Sequence, residues 1–367
     1  MSEDQLVVRV VNDLCSIDER AWDDLCSPED FFKATYLRTL AQAGLDCTFR
    51  YFVAESENEL VGFTLGFLTL FPIIGPLRIR TFISGTPVNV GLPFAFHPEF
   101  SKLVIFRELV RKILNEAESD GAKFIILRDF LDIDFLEEYD SVASNLGFRR
   151  TELFNDAILE IRWQSFEDYL KALRYGYRKD IRYDLRKVYR SGYRLEIFRG
   201  GEIMPYLTDL HRLWTQVYLR HPERDQLFLP LSYFRKIATL PECVVLLMFY
   251  KNKLAGFDLL IERGSLLEVS FCGQDYEITG KEPVDRALTH EIVRYAIQNK
   301  FRLVDFGISN EAIKARVGCA LQRLYGYIRP LSGANVLRAL AFERLVMRGY
   351  GFEVKAANMP EKPVFKG

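Results

Sequence analysis

Residues 244–261 read V-V-L-L-M-F-Y-K-N-K-L-A-G-F-D-L-L-I, two apolar runs parted by a short polar centre. Residues 244–250 have the length and composition of a buried strand, 251–253 of a tight turn, and 254–261 of a second strand, so the stretch predicts a hairpin. Working outward, residues 266–272 read as a third strand. After the loop at 273–282, Pro283 opens a helix that places Val284, Leu288, Ile292, Tyr295 and Ala296 on one face. Residues 303–306 then read as a short buried strand.

The same order occurs once before. Residues 49–54 and 60–71 read as strands around the acidic turn 55–59, and Leu60, Val61, Gly62, Phe63 echo Leu254, Ala255, Gly256, Phe257. A β-rich stretch at 79–96 leads to a helix with Leu103, Phe106, Val110, Ile113 and Leu114 on one face. Pro98 suits its first turn and Gly121 follows its end. Residues 124–127 form the closing strand. A duplicated α/β unit explains both halves, each with its own sheet, and a helix crossing between neighbouring strands makes part of each sheet parallel. Between the halves lie a helical stretch at 166–190, a strand at 193–198 and a helix at 204–219. A closing helix is expected at 334–347 and a frayed tail from 356. No low-complexity linker separates the halves, so they are expected to pack together.

The division is 1–160, 161–350 and a tail at 351–367, in line with a length of 367 residues, about twice an ordinary domain. The formal net charge of −1 provides no overall field for nucleic acid or a membrane, so electrostatic recognition must come from a local patch. The six cysteines form no C-x-x-C pair, and no cysteine or histidine cluster has metal-ligand spacing, so no metal is expected. The apolar run at 63–77 is interrupted by Gly66, Pro72, Gly75 and Pro76 and is too short to span a bilayer. With no signal-peptide layout at the start, these features point to the cytoplasm.

The run L-E-V-S-F-C-G-Q-D-Y-E-I-T-G-K-E-P-V at 267–284, R-L-V-D-F-G at 302–307, E-A-I-K-A-R-V-G at 311–318 and the basic segment at 174–192 together resemble the FemAB-like, predicted N-acyltransferase branch of the GNAT superfamily. The resemblance rests on residues 166–327; the first half is similar in element order. It implies an α/β (α+β) fold of tandem GNAT-like domains with mixed sheets flanked by helices. It also implies amide formation by attack of an amine on a bound acyl ester or thioester. The donor substrate would be acyl-CoA, a carrier thioester or aminoacyl-tRNA, with no tightly bound cofactor. The acceptor would be a small-molecule or peptide-like amine, and tRNA a partner if it carries the acyl group. One departure concerns the phosphate-binding loop of ordinary GNAT enzymes, which is glycine-rich. The loop here, 275–283, contains Gly280 alone. A non-catalytic module that holds a nucleotide or RNA is therefore the rival reading.

Within that frame the candidate residues have alternatives. Arg174, Arg178, Arg182, Arg186 and Arg190 recur every fourth position, forming a stripe suited to phosphates or simply a solvated helix face. Lys314 is a candidate oxyanion stabiliser or an exposed helix lysine. Asp305 and Glu268 could take a proton from an attacking ammonium or instead pair with an arginine. Gln274, Asp275, Tyr276, Gly280 and Lys281 sit where a donor could meet the strand end, and tyrosine there is equally suited to packing. Cys272 is read as a buried, inert thiol, and the four histidines receive no catalytic role.

Overall fold

The computed structural model describes residues 6–74, 77–131, 136–221, 227–331 and 364–365. The chain begins β1 (Leu6–Val11), α1 (Glu19–Asp24), α2 (Ala34–Ala41), β2 (Thr48–Ser56), β3 (Glu59–Ile74), β4 (Leu77–Ser84), β5 (Phe94–Phe96), α3 (Lys102–Ser119), β6 (Phe124–Leu131), α4 (Leu136–Asn145) and β7 (Arg149–Glu160). Two helices follow, α5 (Phe166–Ala172) and α6 (Tyr175–Arg190). Then come β8 (Tyr193–Arg199), a 3-10 segment (Gly200–Tyr206), α7 (Leu207–Arg220), α8 (Leu231–Ile237), β9 (Cys243–Tyr250), β10 (Lys253–Arg263), β11 (Leu266–Gln274), α9 (Tyr276–Thr279), α10 (Val284–Gln298), β12 (Leu303–Asp305), α11 (Glu311–Arg316) and β13 (Ala320–Pro330).

The halves repeat down to backbone detail. Both hairpins turn through two residues of positive φ, Glu57 and Asn58 in one, Lys251 and Asn252 in the other. Such turns match the right-handed twist of paired strands. Both also carry a bulge at the same place, with Val61 and Ala255 as the extra residues opposite their partner strands. The next residue is glycine in each. A Cβ on Gly62 would sit 2.6 Å from Ile105 of α3, and one on Gly256 would meet Val284 and Leu288 of α10 at 3.3 and 3.4 Å. The four-residue echo thus marks a bulge followed by the point where a helix lies close on the sheet.

The expectation of one sheet per unit is corrected. Among the described residues thirteen strands form a continuous sheet, ordered β1-β2-β3-β4-β6-β13-β7-β12-β11-β10-β9-β8, with β5 paired to β3 off that path. From either edge inward the strands correspond one to one until the centre, where the closing strands have changed places. β13 pairs with β6 of the first unit, β7 pairs with β12 of the second, and β13 and β7 pair with each other. The exchange gives each closing strand a partner on both sides, so neither unit leaves an open edge at the centre. The sheet is mixed as expected: β4 runs parallel to β6 and β11 parallel to β12, the two places where a helix intervenes.

Helices cover both faces. Trp22 of α1, Leu37 of α2, Leu213 and Trp214 of α7 and Phe234 of α8 share one buried cluster with Phe63 and Phe257, so the units pack into a common core. Trp22 stacks on Phe63 with ring centres 3.6 Å apart and donates its indole N–H to the Phe32 carbonyl at 2.8 Å. On the other face α3 covers the first unit and α5, α6 and α10 the second.

Several boundaries move. The helix after Pro98 begins at Lys102 behind Ser101, leaving the proline outside it. The stretch at 166–190 breaks at Leu173 and Arg174, which are extended, and the helix expected from 204 starts at Leu207 after a 3-10 segment containing Pro205. The closing helix at 334–347 lies outside the described residues, as does the tail apart from Val364 and Phe365. Those two dock: Arg174 N–H donates to the Val364 carbonyl at 2.9 Å, and the Phe365 ring lies against Gly318, Trp163 and Tyr169.

Candidate active site

The chain leaves β12 at Asp305 and doubles back. Gly307 and Asn310 both adopt positive φ, 69° and 56°, and the short helix α11 returns its side chains toward the strand end. Lys314, only 8% exposed, donates from Nζ to the Gly307 carbonyl at 2.8 Å, and the Gly307 N–H donates to Asp305 Oδ1 at 2.7 Å. One glycine therefore holds both side chains. An exposed helix lysine is excluded by this burial.

Asp305 is also hydrogen-bonded to Asp156, which comes from the exchanged strand β7. Burial pushes Asp156 well above the usual carboxylate range, and the neighbouring Asp305 charge raises it further. Asp156 thus keeps the proton of the pair. Asp305 is raised to about 6 by burial and by Glu268, against the Gly307, Asp156 and Lys314 contacts that favour its charge. Burial brings Lys314 down to about 8, opposed by both aspartates. Near neutral pH the arrangement holds a lysine cation beside an ionised Asp305 and a protonated Asp156. That combination can stabilise a developing oxyanion and accept a proton.

Glu268 lies buried on β11 with both oxygens engaged. Oε1 accepts from Asn89 Nδ2 and Ser270 Oγ at 2.8 Å each, and Oε2 from Arg263 Nε at 2.7 Å. The arginine pairing anticipated as its alternative is what the fold adopts. Arg263 stacks over the Tyr36 ring at 4.5 Å, and Tyr36 hydroxyl and Asn89 exchange hydrogen bonds. From β6, Arg128 donates to the Ser84, Thr86 and Asn89 carbonyls, while Asp129 accepts from Gly91 N–H at 3.1 Å.

The other candidates lie apart from the pair in role. Asp275 caps α9 by accepting from Glu277 and Ile278 N–H groups, and its second oxygen takes Arg212 at 2.8 Å, so its acidity is increased. Gln274 donates to Thr279, Tyr276 lies under Arg220, Gly280 ends α9 at φ 53°, and Lys281 is exposed. In the basic stripe Arg182 pairs with Glu167, Arg178 reaches the Lys171 carbonyl at 3.4 Å, and Arg186 is exposed; the buried face of α6 is Ile181, Asp184, Leu185 and Val188. The stripe is a solvent-facing surface. Cys272 is corrected: it is exposed near the end of β11, while Cys243 and Cys319 are buried. His290 sits 3.5 Å from Asp184 in the α6–α10 packing.

Sequence reading missed Asp156, Asp129, Arg128, Arg263 and Asn89. A signal existed for two of them, since Arg128 and Asp129 interrupt an apolar strand, and buried charges in such a place require partners. The strand read as 124–127 runs to Leu131 and includes both.

A family model described as FemAB-like, peptidoglycan biosynthesis and recognition, matches residues 91–267, just under half of the chain. Over those residues the chain is similar to the FemAB-like family. The match overlaps the segment that carries the resemblance over residues 166–267 and extends it into the first unit. Among solved structures, a tandem GNAT protein from the clavulanic acid biosynthesis pathway is 13% identical with a TM-score of 0.60, covering 90% of this chain and 100% of that one. FemX is 13% identical with a TM-score of 0.57, covering 88% and 97%. The C-terminal domain of a protein described as a lysylphosphatidylglycerol synthetase, from Agrobacterium fabrum, is 16% identical with a TM-score of 0.55, covering 91% and 97%. At these identities the likeness establishes the fold, which is tandem GNAT-like. No curated protein matches the sequence. Among the described residues no helix is long and apolar enough to cross a membrane, and no group of three or more histidine, cysteine or acidic side chains is arranged to hold a metal ion.

Proposed function

We propose that this chain is a transferase that forms an amide, with an acceptor amine attacking a bound acyl or aminoacyl ester or thioester directly. The observation that carries the reading is the Lys314–Gly307–Asp305 connection at the centre of the sheet, with Asp156 hydrogen-bonded to Asp305. In it Lys314 stabilises the oxygen of the tetrahedral intermediate and Asp305 takes the proton released by the attacking ammonium. Asp156 is a positioning residue that holds Asp305 through their shared proton. Glu268 fixes the neighbouring strands through Arg263 and Asn89. The division at 160/161, between β7 and α5, belongs to the same proposal, with the active centre assembled from both units.

The basic face of α6 supplies the phosphate contacts of the donor, from Arg178, Arg182 and Arg186. The donor loop, with Gly280 alone and Asp275 engaged by Arg212, supports aminoacyl-tRNA or a carrier thioester over a plain acyl-CoA. The same loop favours the rival, a cytoplasmic binding module without turnover. The test is incubation of the purified chain with aminoacyl-tRNA, a phosphopantetheine thioester or acyl-CoA, together with a panel of amines, followed by mass analysis. An amide product formed with one donor, with affinity and salt dependence reduced by changing all three arginines to Gln, supports the transferase. Donor binding without product in any combination supports the rival.

A further inference from the structure

The matching bulges allow the two units to be compared residue by residue. Gly62 and Gly256 each follow the bulge, and each lies against its covering helix, α3 or α10. Two positions on, and therefore on the same face of the sheet, stand Thr64 and Asp258. In the first unit the loop 85–93 interrupts the strand that flanks β3, dividing it into β4 and β5. Thr64 pairs with Phe94 of β5, and its hydroxyl donates to the carbonyl of Pro93, the last residue of that loop, at 2.8 Å. Thr64 is thus fully buried with its polar atom satisfied.

In the second unit β11 runs unbroken from Leu266 to Gln274, and Asp258 stands directly across from Cys272 on it. Asp258 is 7% exposed, yet its carboxylate accepts no hydrogen bond and forms no ion pair among the described residues. Its neighbour on β9 is the buried Leu246, and α10 covers the strand through Val284 and Leu288, so those sides supply no donor. Lys314 is committed to the Gly307 carbonyl. Burial pushes Asp258 well above the usual carboxylate range, Asp285 adds to this and Lys314 opposes it. The oxygens are not among the wholly enclosed unpartnered atoms, and the facing Cys272 is exposed. The place that Pro93 and its loop fill in the first unit is therefore open in the second. What it lacks is a donor, and a primary ammonium brings three N–H groups, a positive charge and no acceptor.

Position along β11 says which substrate supplies it. Glu268 pairs with Asp305 at the reacting pair, Cys272 lies further on, and Asp275 opens the donor loop beyond that. Asp258 is thus on the donor's side of the reacting pair. Resting on the transferase reading, we propose that Asp258 is the specificity-determining residue of the donor site and receives a primary ammonium carried by the acyl group. A plain acyl group leaves the carboxylate unmet, whereas an acyl group bearing an amine supplies its donor. Thr64, closed off by Pro93, marks the first unit as the half without this seat.

The experiment is titration calorimetry of the full chain with alaninamide and ε-aminocaproamide against their neutral counterparts, propionamide and hexanamide. In parallel, peptide mass mapping follows alkylation of Cys272 by iodoacetamide, with the exposed Cys15 as internal control. An amine-bearing amide is expected to bind about tenfold or more tightly than its neutral counterpart, and to slow alkylation of Cys272 but not of Cys15. Asp258→Asn and Asp258→Thr, the latter placing the first unit's residue there, each remove that preference. Both variants keep the urea stability of wild type, because no protein partner is lost; a marked loss in both assigns Asp258 a structural role instead and overturns the proposal. Preference for alaninamide assigns the seat to an α-amino group, and preference for ε-aminocaproamide to a side-chain ammonium. Equal binding of charged and neutral amides, no binding of any probe, binding without protection of Cys272, or an unchanged preference in both variants also overturns it. The two claims fail separately. Ammonium binding at Asp258 with no product from any donor leaves the seat standing and removes the transferase; product formed equally from plain and amine-bearing acyl donors, and unaffected by Asp258→Asn, does the reverse.

Discussion

Asn89 Nδ2 and Glu268 Oε1 meet at 2.8 Å across 179 positions of sequence, joining the loop after β4 in the first unit to β11 in the second. Glu268 thereby serves as a junction. Replacing it by alanine removes the partner of Arg263, whose side chain is almost fully buried. Breaking a buried ion pair from one side costs about 3–5 kcal/mol. Urea denaturation of Glu268→Ala is expected to show a loss of that order, whereas Glu268→Gln, which preserves an acceptor, loses less. Equal stability of the alanine variant and wild type would remove the junction role.

Turnover is expected to follow a bell in pH. Asp305 must be ionised to take a proton and titrates at about 6, while Lys314 must be charged to meet an oxyanion and titrates at about 8. The rate therefore rises through about 6, holds and falls through about 8. Asp305→Asn lowers the plateau and removes the acid limb. A profile flat from 5 to 9 contradicts these assignments.

Stability has its own pH signature at Asp129. Its folded carboxyl is raised to about 6, mainly by burial, from an ordinary value near 3.8. Between those values the folded chain binds the extra proton, so the contribution of Asp129 is full below about 4 and is lost as pH rises through 6. The loss is on the order of 2–3 kcal/mol. Asp129→Asn should flatten that part of the stability profile. A variant that tracks wild type at both pH 4 and pH 7 rules this out.

The duplicated bulge makes a paired comparison. Gly62→Ala drives a methyl to 2.6 Å from Ile105 and 3.0 Å from a backbone carbonyl, whereas Gly256→Ala reaches no closer than 3.3 Å to its neighbours. Overpacking of the first kind costs about 1–3 kcal/mol. Gly62→Ala is expected to lower the thermal midpoint more than Gly256→Ala; the opposite ranking would contradict the packing described.

Much of this was legible in the chain. Period-two and unbroken apolar runs located β2, β3, β9, β10 and β11, the 3.6-residue spacing located α3 and α10, and Lys314 was placed at its strand end by Gly307 and Gly318. The exchanged strands β7 and β13 were not found. Their pairing is decided by partners far away in sequence, and local pattern does not encode which neighbour a closing strand selects. Asp156 was lost with β7, so the proton-sharing partner of Asp305 went unseen. Asn89 sits in a loop, where a lone amide has no sequence signature until the fold brings Glu268 to it.

The central claim is that Lys314, held by Gly307 beside Asp305, meets the charge that develops on the reacting carbonyl. The direct measurement is single-turnover transfer by Lys314→Met with the donor and amine that the product screen identifies, alongside substrate affinity and urea stability. The account predicts a rate reduced on the order of a hundredfold, the scale of losing one oxyanion donor, with affinity and folding little changed. A folded variant that transfers at the wild-type rate would contradict it.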